Sequence, residues 1–356
     1  MPGGSQGPVP LSLGLLQPPR GLHLILNPQV RIEQTRRRLA KLRAEGLVDR
    51  ITLPQRGRLR GWSPTQYGVQ VACEWPELRG RRPSKTVSDR TAVRLRVGHA
   101  LTVTETGLAF LQDARRRGEL CRPLDWIPEV YHPIGSGEAV IPDALLYYRR
   151  GRDGGEGAML RAFVEVDRAT MGPERLAAKL TAYARLYDYV PAPAPGRRHR
   201  QAGQEPLQEE WRRHYPLFPR LLFVLDGTGP AGIETRITAL RAAAADLALA
   251  GFLRNVPVLV APLVEVLQGG PAEPVWHPVQ DPRSTVSWSH SPSLDTPHAG
   301  RIAYCGSRKL ERQYWTALQQ GRNRRRTRLN HLAVADSCAL LTDERPGSDT
   351  DDVRLM

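Results

Sequence analysis

Residues 162–189 read AFVEVDRATMGPERLAAKLTAYARLYDY, and this stretch decides the fold. Positions 162–166 form a short apolar run carrying a single acid, as in a strand covered on both faces. From Pro173 the period changes. Leu176, Leu180, Tyr183 and Tyr187 recur at helical spacing and make one apolar stripe, so 173–189 is expected to be a helix. The same alternation continues outward: 140–148 reads as a strand, 221–226 as a strand, 233–250 as a helix and 256–261 as a strand. Upstream, Leu101, Leu108, Leu111 and Ala114 lie on one side of a helix over 101–117. Strands alternating with helices predict an α/β core whose sheet is buried on both faces.

Acidic residues fall at telling places on these elements. Ile141-Pro-Asp143 opens one strand, and Phe163-Val-Glu165-Val-Asp167 closes the next, 22 residues on. A hairpin sets Asp143 beside Glu165, and residues two apart on a strand share a face, which adds Asp167. Carboxylates brought together are costly unless a cation balances them, and oxygen donors suit Mg²⁺ or Mn²⁺. Asp143 and Glu165 are the expected metal ligands. Lys179 borders the apolar stripe of the following helix, one turn before Tyr183. The chain has only four lysines among 51 basic residues, so a lysine here stands out against an arginine background. Lysine permits a tunable proton affinity that arginine does not. Glu105 and Glu129 are further acids on neighbouring elements.

The N-terminal part reads differently. Residues 1–30 are rich in Gly and Pro and are expected to form a poorly ordered tail. A helix is expected over 33–45, with Leu39 and Leu42 inward and Arg36, Arg37, Arg38, Lys41 and Arg43 available for contact. Gly46 ends it, and Leu47 folds back on the last turn. Two strand-like runs follow, 48–53 and 62–72, joined by a loop bearing Arg56, Arg58 and Arg60. An arginine-rich helix followed by an arginine-tipped hairpin matches the second half of a winged helix, which reads DNA with the helix in the major groove. The expected DNA contacts are therefore Arg36, Arg37, Arg38, Lys41, Arg43, Arg56, Arg58 and Arg60.

Bulk properties agree with a polyanionic partner. The formal net charge is +15, and basic surfaces bind nucleic acid by releasing counterions from phosphates. Aromatic residues make up 6% of the chain, few for stacking unpaired RNA bases, so RNA ranks behind double-stranded DNA. No apolar run approaches the ~20 residues of a membrane span. The run at 11–16 is short and has no basic residue before it, which argues against an export signal and for the cytoplasm. Cys73, Cys121, Cys305 and Cys338 show neither zinc spacing nor a disulfide framework.

Taken in order, Pro142-Asp143, Glu165-Val-Asp167, Lys179 and Tyr183 resemble the pattern of the replication-relaxation family. The residues 44–48 after the arginine-rich helix, Tyr67-Gly68, and Trp126-Ile-Pro-Glu129 fit as well, so the resemblance runs from about residue 33 to 278. It implies a winged helix joined to a restriction-endonuclease-like core of the PD-(D/E)xK type, α/β in class and α+β overall, with a mixed sheet. It also implies association with plasmids and integrated mobile elements, with partners among replication or mobilisation proteins. The expected organisation is a tail at 1–30, a partial winged-helix-like segment at 31–98, and a nuclease-like domain at 99–278 with 191–219 as an inserted loop. A basic, then acidic, largely irregular region follows at 279–356.

One departure from the PD-(D/E)xK pattern matters. The position two after the acid is usually lysine, and here it is Asp167. Catalysis then requires a lysine moved to the helix, Lys179. Two readings stand open: a DNA-binding scaffold, or a metal-dependent endonuclease or nickase using Asp143, Glu165, Asp167 and Lys179. In the bland account Asp143 and Glu165 merely pair with arginines such as Arg161 or Arg168. Leu225-Asp-Gly-Thr-Gly229 is a strand-to-helix turn, 151–157 a hairpin connection, and Ser287 with His290 lacks a supporting acid.

Overall fold

The computed structural model describes residues 19–53, 59–74, 90–151, 157–191 and 208–289. Several expectations lie outside these residues: the tail at 1–18, the wing-tip Arg56 and Arg58, the Pro-rich 192–207, and the basic and acidic stretches after 289. Arg60 is placed by its backbone alone.

Strands rich in Leu and Val and buried along their whole length centre the molecule. These are β8 (Arg220–Leu225) and β9 (Val258–Pro262), both flanked by helices. They belong to a six-stranded mixed sheet with β3 (Trp126–Pro128), β6 (Ala144–Arg150), β7 (Ala158–Asp167) and β10 (His277–Pro278), in the order β10-β9-β8-β7-β6-β3. The β7, β8 and β9 strands are parallel, while β3, β6 and β10 pair antiparallel with their neighbours. Two short strands, β4 (His132–Pro133) and β5 (Ala139–Val140), make a separate ladder.

Alternation along β7 sends Phe163 to one face and Ala162, Val164 and Val166 to the other. The Phe163 face is covered by α5 (Pro173–Asp188), α6 (Pro230–Ala244) and α7 (Ala250–Asn255). The opposite face packs on α4 (Arg90–Arg117) and α8 (Leu263–Gly269). Pro173 opens α5 behind Gly172, where a missing N–H costs nothing. Of the predicted stripe, Leu176, Leu180 and Tyr183 are buried, and Tyr187 at its end is half-buried against the same core. The α/β class and the mixed sheet are as expected.

The N-terminal elements are α1 (Pro19–Leu26), α2 (Ile32–Ala44), the antiparallel pair β1 (Val48–Leu53) and β2 (Leu59–Pro64), and α3 (Gln66–Cys73). Leu22, Leu39, Val48 and Trp62 make their small core. Gly46, at φ +74°, donates its N–H to Arg43 O at 3.0 Å, and Leu47 N–H donates to Leu42 O at 2.9 Å. That double bond pattern ends α2 as the sequence predicts.

Several boundaries differ from the sequence reading. Residues 19–26 are helical, so the tail expected over 1–30 does not include them; Leu22 and Ile25 have an apolar surface to bury. The strand expected over 62–72 stops at Pro64. Thr65 takes over as an N-cap, its hydroxyl oxygen accepting the Gly68 N–H at 3.0 Å, and α3 begins. The 98/99 boundary falls inside α4, which is continuous from Arg90. The strand expected over 140–148 is two, split by Ile141-Pro-Asp143. The helix expected over 233–250 breaks after Ala244, where Asp246 caps a new turn through Ala248 N–H at 2.9 Å. The loop expected over 191–219 is surface only in part, since Trp211, Tyr215 and Phe218 are buried against Phe163 and its neighbours. The chain also stays packed beyond 278, with Trp288 fully buried.

Candidate functional site

The β6–β7 ladder ends at the pair Ala144 and Val164. One step further, the Asp143 carboxylate replaces the missing backbone partner: its Oδ2 accepts the Val166 N–H at 2.7 Å. Its Oδ1 faces His99 Nε2 of α4 at 2.8 Å. Across the strand pair, Glu165 is held from α5. Its Oε1 accepts the Tyr183 hydroxyl at 2.6 Å, and its Oε2 pairs with the Lys179 ammonium. Lys179 and Tyr183 are one helical turn apart and reach the same carboxylate. Of the residues the sequence groups together, Asp143, Glu165 and Lys179 therefore meet at one place.

Burial dominates the electrostatics. The Glu165 side chain is only 3% exposed. Desolvation pushes its carboxyl up to about 7, with Asp143 adding to the rise and Lys179 and Tyr183 opposing it. Desolvation also works on Asp143, but the hydrogen bond and charge of His99, the Lys179 charge and the Val166 N–H outweigh it, and its pKa falls. Burial lowers the Lys179 pKa, yet the charges of Glu165 and Asp143 overcome this and raise it. The Tyr183 hydroxyl is pushed well above its ordinary range by burial and by Glu165.

Asp167 shares the Glu165 face, as alternation requires, but it is taken by another partner. Its Oδ2 accepts Arg236 Nε at 2.6 Å, and Arg236 also donates to Met171 O at 2.9 Å. Asp167 is thus a tie between β7, α6 and the loop after β7. Glu105 and Glu129 are exposed. Glu129 approaches only by its backbone N–H, 3.4 Å from Asp143 O. The arginine pairing of the bland account is not what forms: Arg161 lies over the Tyr147 ring, and Arg168 faces Asp226 at 3.8 Å. His99 and Arg236 escaped the sequence reading. Each acts across a long sequence gap, 44 and 69 residues, and no local pattern marks either one.

The oxygen donors of Asp143 and Glu165 are of the kind that Mg²⁺ and Mn²⁺ take. All four oxygens already receive partners from the protein. Among the described residues, no group of three or more His, Cys, Asp or Glu converges to hold a metal ion.

The second feature is α2. Leu39 is buried, while Arg36, Arg37, Lys41 and Arg43 are exposed and Arg38 is half-buried. Arg36 pairs with Glu33 at 3.6 Å, Lys41 with Glu45 at 3.9 Å and Arg43 with Asp49 at 3.4 Å. Such exposed pairs are worth ~0.2–1 kcal/mol and yield readily to a stronger anion.

The model of the replication-relaxation family matches residues 20–197, half of the chain. The chain belongs to the replication-relaxation family. No curated protein and no solved structure matches it. The matched span of this family member starts in α1 and ends just past α5. It therefore contains α2 and all of Asp143, Glu165, Asp167, Lys179 and Tyr183, while β8 onward lies beyond it. Membership points to a role in the replication or relaxation of mobile elements. No helix among the described residues is long and apolar enough to cross a membrane.

Proposed function

We propose that this replication-relaxation protein acts by binding double-stranded DNA through its N-terminal elements, in plasmid or mobile-element replication or transfer. The observation that carries the reading is α2: it buries Leu39 and turns Arg36, Arg37, Lys41 and Arg43 outward, in a chain of net charge +15. Two helices followed by the β1–β2 hairpin suit a winged-helix use of α2 as the groove helix, with the hairpin as wing. Arginine and lysine along one helix neutralise phosphates and position the protein on the duplex. In this reading the sheet domain is a nuclease-like scaffold. Its carboxylates are occupied by Lys179, His99 and Arg236 instead of standing ready for a substrate. The experiment is a duplex-binding titration at low salt with wild type and with Arg37→Ala/Lys41→Ala. Clear binding weakened by the double substitution supports the reading, and no binding by the wild type removes it.

A second reading is favoured by one observation, the convergence of Lys179 on Glu165 beside Asp143. In it Asp143 and Glu165 would hold Mg²⁺ or Mn²⁺ through oxygens that now face His99 and Lys179. The ion would supply Lewis acidity at a phosphodiester oxygen. Lys179, released from Glu165, would stand beside the phosphate to balance charge. Plasmid nicking in Mn²⁺ tests it: activity lost in both Glu165→Ala and Lys179→Ala sustains the endonuclease reading, and intact plasmid with all three proteins leaves the scaffold.

A further inference from the structure

Between α2 and the hairpin lies a cavity of about 540 Å³ that the site above does not include. Arg36, Ala40, Arg43 and Ala44 line it from one face of α2, at the i, i+4, i+7 and i+8 spacing of a single helical side. Arg50 and Trp62 line it from the hairpin, where they are direct cross-strand partners and so share a face. The two alanines leave the space open, and three guanidinium groups surround it.

One buried donor here is unsatisfied, and one arginine has no carboxylate beside it. The Trp62 indole N–H is buried and has no hydrogen-bond partner among the described residues. Arg50 is a half-buried residue and makes no ion pair among the described residues, whereas Arg36 and Arg43 have carboxylate neighbours. A buried donor without an acceptor is costly, and an arginine fork matches a phosphate with two parallel bonds.

We propose that this cavity seats one unpaired nucleotide of a DNA strand, its phosphate among Arg36, Arg43 and Arg50 and its base against Trp62. The proposal rests on the DNA-binding reading and narrows it to a substrate with single-stranded character, such as a strand end or a locally melted site. Its size falls within the ~300–1,000 Å³ typical of sites for small organic ligands, and it exceeds what a bare phosphate needs. A nucleotide already unpaired enters without the cost of breaking stacking and pairing. Arginine and aromatic faces hold such bases with little regard to sequence.

The test compares a fluorescent blunt duplex with the same duplex carrying a short single-stranded overhang, by anisotropy. Wild type is expected to bind the overhang form about tenfold more tightly, the low end of what one stacked base contributes. Arg50→Ala removes one of the three cations around the cavity, and Ala40→Leu fills the space from an exposed helical position. Both are expected to abolish the preference, so that each variant binds the overhang form no more tightly than the blunt duplex, whatever duplex affinity it keeps. Equal affinity for the two DNAs in the wild type, or a preference that survives both substitutions, overturns the proposal. If no DNA binds at all, the duplex reading of α2 has failed separately, and calorimetric titration with deoxyadenosine monophosphate decides the cavity alone. Binding that disappears in Ala40→Leu upholds the seat, and no binding overturns it.

Discussion

Glu165 is a carboxylate buried on β7 and paired from α5 with Lys179. Its folded pKa, about 7, lies above the ordinary 4.5, so the folded chain holds this proton more tightly than the unfolded one. Stability therefore falls as pH rises from about 4.5 to about 7. Lys179 limits that loss. Removing it by Lys179→Met extends the window to higher pH, since nothing then balances the buried charge. The variant should be destabilised by roughly 2–3 kcal/mol at pH 8 and far less at pH 5, where Glu165 is protonated. Denaturant unfolding at the two pH values checks this, and an equal deficit at both would reduce Lys179 to a packing role. Arg236→Ala should cost about 3 kcal/mol at neutral pH, because Asp167 then loses its buried partner. At this scale the sequence named Asp143, Glu165, Asp167 and Lys179, because strand alternation and helical spacing are local. It did not separate their fates, because Arg236 and His99 arrive from other parts of the chain.

Elements were legible wherever pattern and punctuation agreed. The Leu/Val-rich runs β8 and β9 are strands, and α5 runs from the predicted proline through the predicted stripe. The residues after Trp62 misled, since an apolar-polar alternation continues through Val71 while the backbone turns helical at Gln66. Two residues decide it. Thr65 caps α3, and its hydroxyl also donates to Gly46 O at 2.5 Å. Gly68 lies so close to the turn after α2 that a Cβ would stand 1.9 Å from Leu47 O. Both effects need the folded hairpin and cannot be read from spacing. Gly68→Ala must push α3 off Leu47, and we expect a loss of roughly 1–3 kcal/mol, of the order of other overpacking changes. The loss should be confined to the N-terminal elements. Hydrogen exchange separates the outcomes: faster exchange in α2 and β1–β2 with the sheet unchanged is expected, and uniform protection would deny the close approach.

For the whole molecule, the charge of +15 governs encounter with DNA. Duplex affinity should fall steeply with salt, with a log–log slope of about −0.9 for each phosphate neutralised. Replacing Arg37 and Lys41 by alanine should flatten the slope by about two units if each meets one phosphate. A salt-insensitive affinity would point away from α2 altogether. The charge was plain in the sequence; how the N-terminal elements join the rest was not. Arg115 of α4 donates to Leu24 O and, at 2.7 Å, to Ile25 O, at the end of α1. Ile25 itself belongs to the apolar cluster beneath the sheet. The first described helix thus holds a place in two cores, Leu22 in the small one and Ile25 in the large one. The consequence concerns heredity as much as mechanics. The front of this protein is not a cassette that recombination can exchange by cutting the chain near residue 98, inside α4. A transplanted front end must bring an Ile25 that fits the recipient's α4, or leave a hole under the recipient's sheet.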